Sequence, residues 1–430
     1  MNNLSTQIEQ RAVLVGVQMG EDITYSMDEL SQLTEASGCE VIGELIQKKE
    51  KIDSAFYIGK GKLEELKDVC NDLESSIVVF NDELTGIQLR NIEQYLEIKV
   101  IDRTILILDI FSKRAVSKEG KLQVELAQLQ YRIPRLVGLG KSLSRTGGGI
   151  GTRGPGEKKL ETDRRHILRR MTDIKKELKE VKKIRATQRS KREKSEIPIV
   201  ALVGYTNAGK STIMNRFLQI AHKKEKSVYE EDMLFATLDT FQRKIKLETK
   251  EAFILIDTVG FVSKLPHMLI DAFKATLEEV LYADLLIHVV DASYEHFPFQ
   301  MNVTDKVMKE IKAEDRRRIT LFNKIDKINY DKGIIPSGED ILYISAKSGD
   351  GMDRLISKIR EIIFYDRVDA VLMIPFKNGD IASNLCHNTM VDKMDYTEKG
   401  IYIETKLLKS DYNRYKQFIV EKRKENGKRI

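Results

Sequence analysis

Short apolar runs alternate, in the first quarter of the chain, with stretches whose apolar side chains recur every three or four positions. Ala12–Val17, Glu40–Ile46 and Ser76–Asn81 predict strands, and Ser26–Ser37, Lys62–Asn71 and Thr85–Gln94 predict helices. Val100–Phe111 adds a further apolar strand or buried segment. Residues 1–111 therefore predict a small α/β domain.

The period then changes. Leu122, Leu126, Leu129, Ile133 and Leu136 form one narrow apolar stripe, and Leu160, Ile167, Met171, Ile174, Leu178 and Val181 form another. Stripes this narrow pair helices knobs-into-holes. Between them lies Gly138–Gly156, which contains Arg145-Thr-Gly-Gly-Gly-Ile-Gly-Thr-Arg-Gly-Pro-Gly156 and which no helix tolerates. Residues 112–195 predict an antiparallel helical hairpin with a glycine-rich loop at its tip.

After a charged linker, Lys191–Glu196, the run Ile197–Val203 is apolar throughout, as in a parallel strand covered on both faces. Phe253–Ile256, Leu285–Val290, Ile319–Phe322 and Leu342–Ile344 repeat it, with helices expected at Leu269–Leu281 and Met352–Ile363. Residues 196–365 predict a mixed, mostly parallel, doubly wound sheet. Residues 366–430 predict a small α/β domain: strand Ala370–Phe376, helix Ile381–His387, strand Ile401–Glu404 and helix Asp411–Phe418. The fold class is α/β.

Composition narrows the setting. A 41% hydrophobic content over 430 residues supports several packed cores. No apolar run is long enough to span a membrane, and Met1–Gln10, mostly polar and followed by the strand-like Ala12–Val17, does not read as a secretory signal. Three scattered cysteines (Cys39, Cys70, Cys386) make a disulfide framework or zinc site unexpected and favour a reducing cytoplasm. The net charge of +6 is unevenly spread: residues 112–195 hold 25 Lys/Arg against 9 Asp/Glu. Such a block is either a solvated helical face or a footprint for a polyanion, and the basic glycine-rich tip favours RNA.

Chemistry enters at the strand ends. Gly204-Tyr-Thr-Asn-Ala-Gly-Lys-Ser-Thr212 is a phosphate-binding loop that follows a strand and opens a helix. Backbone N–H groups of Gly204, Tyr205, Thr206, Asn207, Ala208 and Gly209 can wrap phosphates, and the helix dipole favours the anion. Lys210 would reach the β and γ oxygens, Ser211 would bind Mg²⁺ through its hydroxyl, and Thr212 completes the motif. Asp257-Thr258-Val259-Gly260 ends the next strong strand, placing a carboxylate to hold Mg²⁺ through water and a glycine N–H to sense the γ-phosphate. Asn323-Lys324-Ile325-Asp326 carries a carboxylate that can accept two donors from guanine but would meet an acceptor on adenine. Ser345-Ala346-Lys347 would seat the base. Phe235-Ala236-Thr237-Leu238-Asp239 is the candidate first switch, with Thr237 as second Mg²⁺ hydroxyl and Thr240 as the alternative. These segments together predict a GTP hydrolase with Mg²⁺ as cofactor and GTP or GDP as ligand.

Phe261 stands where many GTPases place a glutamine that orients water, so no catalytic base is assigned and hydrolysis is expected to need a partner. His288, in an apolar strand, reads as a core residue. Gly59-Lys60-Gly61 reads as a turn or as part of a second nucleotide site.

The chain resembles the HflX family of ribosome-associated GTPases, up to about Phe364. The resemblance rests on Tyr57-Ile-Gly-Lys-Gly-Lys62, Arg103–Phe111, Gln123-Val-Glu-Leu-Ala127, Gly147–Glu157, Leu160-Glu-Thr-Asp-Arg-Arg165, Asp257–Phe261 and Leu265-Pro266. The glycine-rich segment is the most specific of these. The resemblance implies a bacterial cytoplasmic factor that binds the large (50S) ribosomal subunit and separates intact ribosomes, often under stress. It places the hairpin tip near the peptidyl-transferase centre, where Arg145, Gly147, Gly148, Gly149, Arg153, Lys158, Arg164 and Arg165 become the expected rRNA contacts. A hydrophobic residue at the glutamine position also matches the family. Two departures stand out: Thr240-Phe-Gln-Arg243 replaces Pro-Thr-Thr-Arg, and Lys158 stands where a small polar residue is usual. They leave open a specialised paralogue, for instance one that protects ribosomes from antibiotics; a large-subunit assembly GTPase and an adaptor in which GTP only gates binding are the competing readings. A monomer is expected.

Overall fold

The run Ala12–Val17 becomes the centre of the first sheet. The computed structural model describes residues 10–143, 155–193, 197–221, 241–264, 277, 279–328, 336–389 and 391–420. Strand β1 (Gln10–Gln18) lies parallel to β2 (Cys39–Lys48) on one side and to β3 (Ile77–Phe80) on the other, with β4 (Lys99–Asp102) beyond β3. Alternate residues of these strands enter two separate cores, as full coverage of both sheet faces requires. Ala12, Leu14, Ile77 and Val79 pack with Met27, Leu30 and Leu33 of α1 (Thr24–Ala36). Val13, Val15, Val78 and Phe80 pack with α2 (Lys60–Asp72) and α3 (Gly86–Leu96). A capping box starts α3: the Thr85 hydroxyl accepts from the Gln88 N–H at 3.2 Å, and the Gln88 side chain accepts from the Thr85 N–H at 3.0 Å.

Val100–Phe111 is not one strand. The strand stops at Asp102, whose carboxylate accepts the Ile105 N–H at 2.9 Å and caps α4 (Arg103–Arg114). Residues on nearly every side of α4 are buried, which removes the periodicity that would have marked it as a helix.

The hairpin consists of α5 (Lys118–Leu143) and α6 (Pro155–Glu193), so helix enters both ends of the segment Gly138–Gly156 that was expected to exclude it. Leu122 and Leu126 pack on Met171 and Ile174, with Leu129, Ile133, Ile167 and Leu178 around them. Arg170 grips Glu125 with two hydrogen bonds of 2.7 Å across the pair. That contact is solvent-exposed, so its contribution is modest beside the apolar seam.

The third unit is a six-stranded sheet in the order β10-β9-β8-β5-β7-β6. Its strands are β5 (Ile199–Gly204), β6 (Phe241–Lys246), β7 (Ala252–Asp257), β8 (Leu285–Asp291), β9 (Arg318–Asn323) and β10 (Ile341–Tyr343). All pairs are parallel except β6 with β7. One face is covered by α7 (Lys210–Ile220) and α9 (Met352–Ile363), the other by α8 (Phe297–Glu310) and residues around Val280. The sequence pattern did not predict β6, because only Ile245 in it is buried. The expected helix Leu269–Leu281 lies largely outside the described residues.

A three-stranded antiparallel sheet, β11-β13-β12, closes the chain. It is formed by β11 (Arg367–Ile374), α10 (Gly379–Asn388), β12 (Val391–Thr397), β13 (Gly400–Leu408) and α11 (Lys409–Arg414). The polar edge strand β12 was not expected. The predicted helix Asp411–Phe418 is split into α11 and a tight turn at Lys416–Phe418.

Candidate nucleotide-binding site

Parallel strands β5, β7, β8 and β9 all end at one edge of their sheet, where a ligand crevice is expected in a doubly wound fold. Gly204 leaves β5 with φ +148°, and a Cβ there would lie 2.2 Å from the Val289 carbonyl oxygen. Gly209 opens α7 at φ +94°, with its α-hydrogen side against the Asn323 amide; a Cβ would approach Nδ2 to 2.2 Å. Asn207, also left-handed at φ +58°, turns the loop between them. Tyr205, Thr206 and Ala208 are buried, whereas Asn207, Gly209, Ser211 and Thr212 are partly accessible.

Lys210 extends under this loop. Its ammonium donates to the Gly204 carbonyl at 3.1 Å and to the Tyr205 carbonyl at 2.7 Å. Burial pulls its pKa down to about 8, partly opposed by the Asp257 carboxylate. A phosphate beside it would restore the charge.

Ser211 Oγ donates to Asp257 Oδ2 at 2.7 Å, joining the first turn of α7 to the end of β7. A hydroxyl and a carboxylate at this distance are hard oxygen donors of the kind Mg²⁺ selects, so the residues fit that ion. Thr258 turns away: its hydroxyl donates to the Leu202 carbonyl at 2.7 Å, within the core. Gly260 presses on the phosphate loop, leaving 2.6 Å between a hypothetical Cβ and Thr206 Cα. Two backbone bonds then fasten the segments together, Thr206 N–H to the Phe261 carbonyl at 2.8 Å and Phe261 N–H to the Gly204 carbonyl at 3.2 Å. The Phe261 ring is 2% exposed and lies in the core with Tyr205, Val259 and Val262.

On the far side, Asn323 is buried and ties two loops. Lys324 is left-handed, φ +65°, and its ammonium meets Asp291 at 2.8 Å. Ile325 begins a tight turn, and Asp326 is exposed with its pKa held below the ordinary value, chiefly by a hydrogen bond from Ser345. Ser345 and Ala346 are buried and Lys347 is exposed. The strand ends thus bring together Gly204–Thr212, Asp257–Gly260, Asn323–Asp326 and Ser345–Lys347.

Other expected site residues fall elsewhere. Phe235, Ala236, Thr237, Leu238, Asp239 and Thr240 lie outside the described residues, as do Arg145, Gly147, Gly148, Gly149 and Arg153. Lys158 falls on α6, and Arg164 and Arg165 are exposed on that helix, the latter paired with Glu161 at 2.8 Å. Among the described residues, no helix is long and apolar enough to cross a membrane.

Sequence reasoning missed one part of the site's surroundings. Tyr205 sends its hydroxyl to Glu29 of α1, and Ser263 N–H donates to Tyr205 Oη at 2.6 Å. The one available signal was a tyrosine inside an otherwise small-residue loop.

A family model described as GTP-binding GTPase N-terminal matches residues 24–112, and one described as GTP-binding GTPase Middle Region matches residues 114–192. A third, described as 50S ribosome-binding GTPase, matches residues 199–324. GTPase HflX of Caldanaerobacter subterraneus subsp. tengcongensis is 48% identical over 413 residues, covering 96% of this chain and 94% of that protein. The chain belongs to the HflX GTPase family. GTPase HflX of Lacrimispora saccharolytica is 46% identical, covering 92% of this chain and 93% of that protein. Among solved structures, a GTP-binding protein from Sulfolobus solfataricus in complex with GDP is 25% identical, with a TM-score of 0.45 over 83% of this chain and 99% of that one. Membership in the HflX family carries GTP hydrolysis as the family's chemistry.

Proposed function

We propose that this HflX-family chain is a GTP-hydrolysing switch that acts on the large ribosomal subunit, and that it dissociates or rescues ribosomes under stress. In this reading Gly204–Gly209 wrap the phosphates, and Lys210 neutralises the β and γ oxygens. Ser211 and Thr237 bind Mg²⁺ directly and Asp257 holds it through water. Gly260 senses the γ-phosphate, and Asn323–Asp326 with Ser345–Lys347 hold guanine. The hairpin, residues 112–195, carries the rRNA contacts, with Arg145, Gly147–Gly149, Arg153, Lys158, Arg164 and Arg165 toward the tip. The work is done in the cytoplasm by a monomer.

The observation that carries the gated part of this reading is the position of Phe261. Its ring is in the core and its backbone is bonded to the phosphate loop, so its side chain does not orient an attacking water. A site built this way waits for a group from outside, and the family description of a 50S ribosome-binding GTPase over residues 199–324 supports the large subunit as its source.

GTP turnover with and without purified large subunits tests this, for the wild type and for a variant lacking residues 147–155. Strong stimulation that the deletion weakens is expected, along with loss of intact ribosomes from sedimentation profiles when GTP is present. Equal rates in all four conditions would overturn the partner-completed site. Stimulation by immature subunits alone would favour an assembly role.

A further inference from the structure

Two adjacent residues at the β4–α4 junction reach in opposite directions. Asp102 is fully buried and faces the hairpin. Beyond capping α4, it accepts from the Leu84 N–H at 2.9 Å, from the Arg135 guanidinium at 3.4 Å and from the Tyr131 hydroxyl. Tyr131 and Arg135 stand one turn apart on α5. The guanidinium lies 3.2 Å from the Tyr131 ring centroid and also donates to the Leu84 carbonyl at 2.6 Å and to Glu83 at 3.1 Å. Gly86 permits this approach, since a Cβ there would lie 3.0 Å from Arg135 Cα. The hairpin is therefore anchored to the first sheet by buried, directional bonds rather than by apolar contact alone.

Arg103 faces the nucleotide site. It is 2% exposed and donates to Asn81 Oδ1 at 2.9 Å, to the Ser26 carbonyl at 3.2 Å and to Ser263 Oγ at 3.0 Å, and it is ion-paired with Glu29. Glu29 also accepts the hydroxyls of Tyr205 and Ser263. Burial holds the Tyr205 phenol well above its ordinary pKa, so it remains a neutral donor. Tyr205 belongs to the phosphate loop, and Ser263 stands two residues past Phe261. A buried carboxylate and guanidinium tolerate few missing partners. The 257–263 segment therefore cannot move without either carrying Arg103 and Glu29 along or stranding them.

We infer that Asp102 and Arg103 form a positioning junction, which ties the orientation of the RNA-facing hairpin to that of Ser263 and, through Glu29, of Tyr205 in the phosphate loop. Seating the hairpin would shift Asp102 through Tyr131 and Arg135, and the same helix start would shift Ser263 through Arg103. Asp102, Arg103, Glu29, Tyr131 and Ser263 are positioning residues here. The inference rests on the ribosome-gated reading proposed above.

The test uses the full chain with two mild variants. Tyr131→Phe removes the hydroxyl that Asp102 accepts and keeps the ring under Arg135, and Ser263→Ala removes the hydroxyl between Arg103 and Glu29. Each is expected to hydrolyse GTP without ribosomes within about twofold of wild type. With large subunits, each should lose roughly fivefold or more of the stimulated kcat, while the KM for GTP and the affinity for the subunit stay unchanged. The double variant should fall no further than the weaker single one, as expected for one coupled path. Hydrogen exchange of the GDP-bound chain without ribosomes gives an independent arm: Tyr131→Phe should raise exchange across residues 257–264, although the substitution sits on α5. Full stimulation in both variants together with unchanged exchange at 257–264 would overturn the inference. Wild type that large subunits do not stimulate would defeat the gated reading alone, and the exchange arm would still decide the coupling.

Discussion

Asn323 holds two loops with one amide: its Nδ2 donates to the Ala208 carbonyl at 2.9 Å, and its Oδ1 accepts the Ala346 N–H at 3.0 Å. The Asn323–Asp326 end of the crevice is thereby bolted both to the Gly204–Thr212 loop and to the Ser345–Lys347 turn. Asn323→Ala leaves both buried backbone groups without this partner, at about 1–3 kcal/mol each. GDP affinity is expected to fall on the order of 10- to 100-fold. Titration with a fluorescent GDP analogue checks this, and a change under twofold would show that the bolt is not needed.

Lys210 predicts a pH dependence. Burial holds its folded pKa at about 8 against an ordinary 10.5. Between those values the unfolded chain binds a proton that the folded chain does not. The nucleotide-free protein therefore loses stability as pH falls across that window, and below about 8 the loss is complete. Phosphates raise the pKa again, so binding takes up a proton above pH ~8 and GDP affinity should drop by up to about tenfold per pH unit there. Dissociation constants measured from pH 7 to 9.5 are expected to bend near 8, and Lys210→Met should abolish the bend.

Phe261→Gln places an amide in a core of Tyr205, Val259 and Val262. Loss of the ring and burial of the amide are expected to cost roughly 2–4 kcal/mol. Hydrolysis without ribosomes should not rise, because the backbone bonds to Gly204 and Thr206 keep this side chain pointed inward. Urea unfolding and single-turnover rates measure the two effects. A stable variant with tenfold faster turnover would show that the side chain can reach the phosphates.

His288 on β8 is held to a pKa of about 4, mainly by burial and then by the nearby Arg318 charge. Its folded pKa lies below the ordinary 6.5, so the unfolded chain binds the extra proton as pH falls from 6.5 through 4, and stability is lost over that range. The loss approaches roughly 3 kcal/mol. His288→Asn should flatten the acid limb of a stability–pH profile, and an unchanged limb would assign the acid sensitivity to other groups.

The candidate nucleotide site was legible because its constraints are local. Gly204 and Gly209 mark places where only glycine fits, and an apolar strand runs into each motif. The hairpin was legible from its two stripes, as the packing of Leu122 and Leu126 on Met171 and Ile174 reflects. What escaped was of two physical kinds. Strands β6 and β12 lie at sheet edges, where few side chains are buried and the alternating signal fades. The Glu29–Arg103–Tyr205–Ser263 cluster joins residues far apart in sequence, and no periodicity within one segment announces such a meeting. Asp102 and Arg103 fall inside the segment Val100–Phe111 expected as one run, when they are the residues at which the first sheet meets both its neighbours.

Helix α6 runs 39 residues but grips α5 near its middle, at Met171 and Ile174. From Met171 back to Pro155 the helix extends about 24 Å at ~1.5 Å per residue. Ile167 still packs on the seam, so the arm beyond it is shorter, and a tilt of about 5° at the seam moves Pro155 by roughly 2 Å at most. In the proposed reading, a push on that end would reach α5 as a small rotation, and Tyr131 and Arg135 would pass it to the buried Asp102.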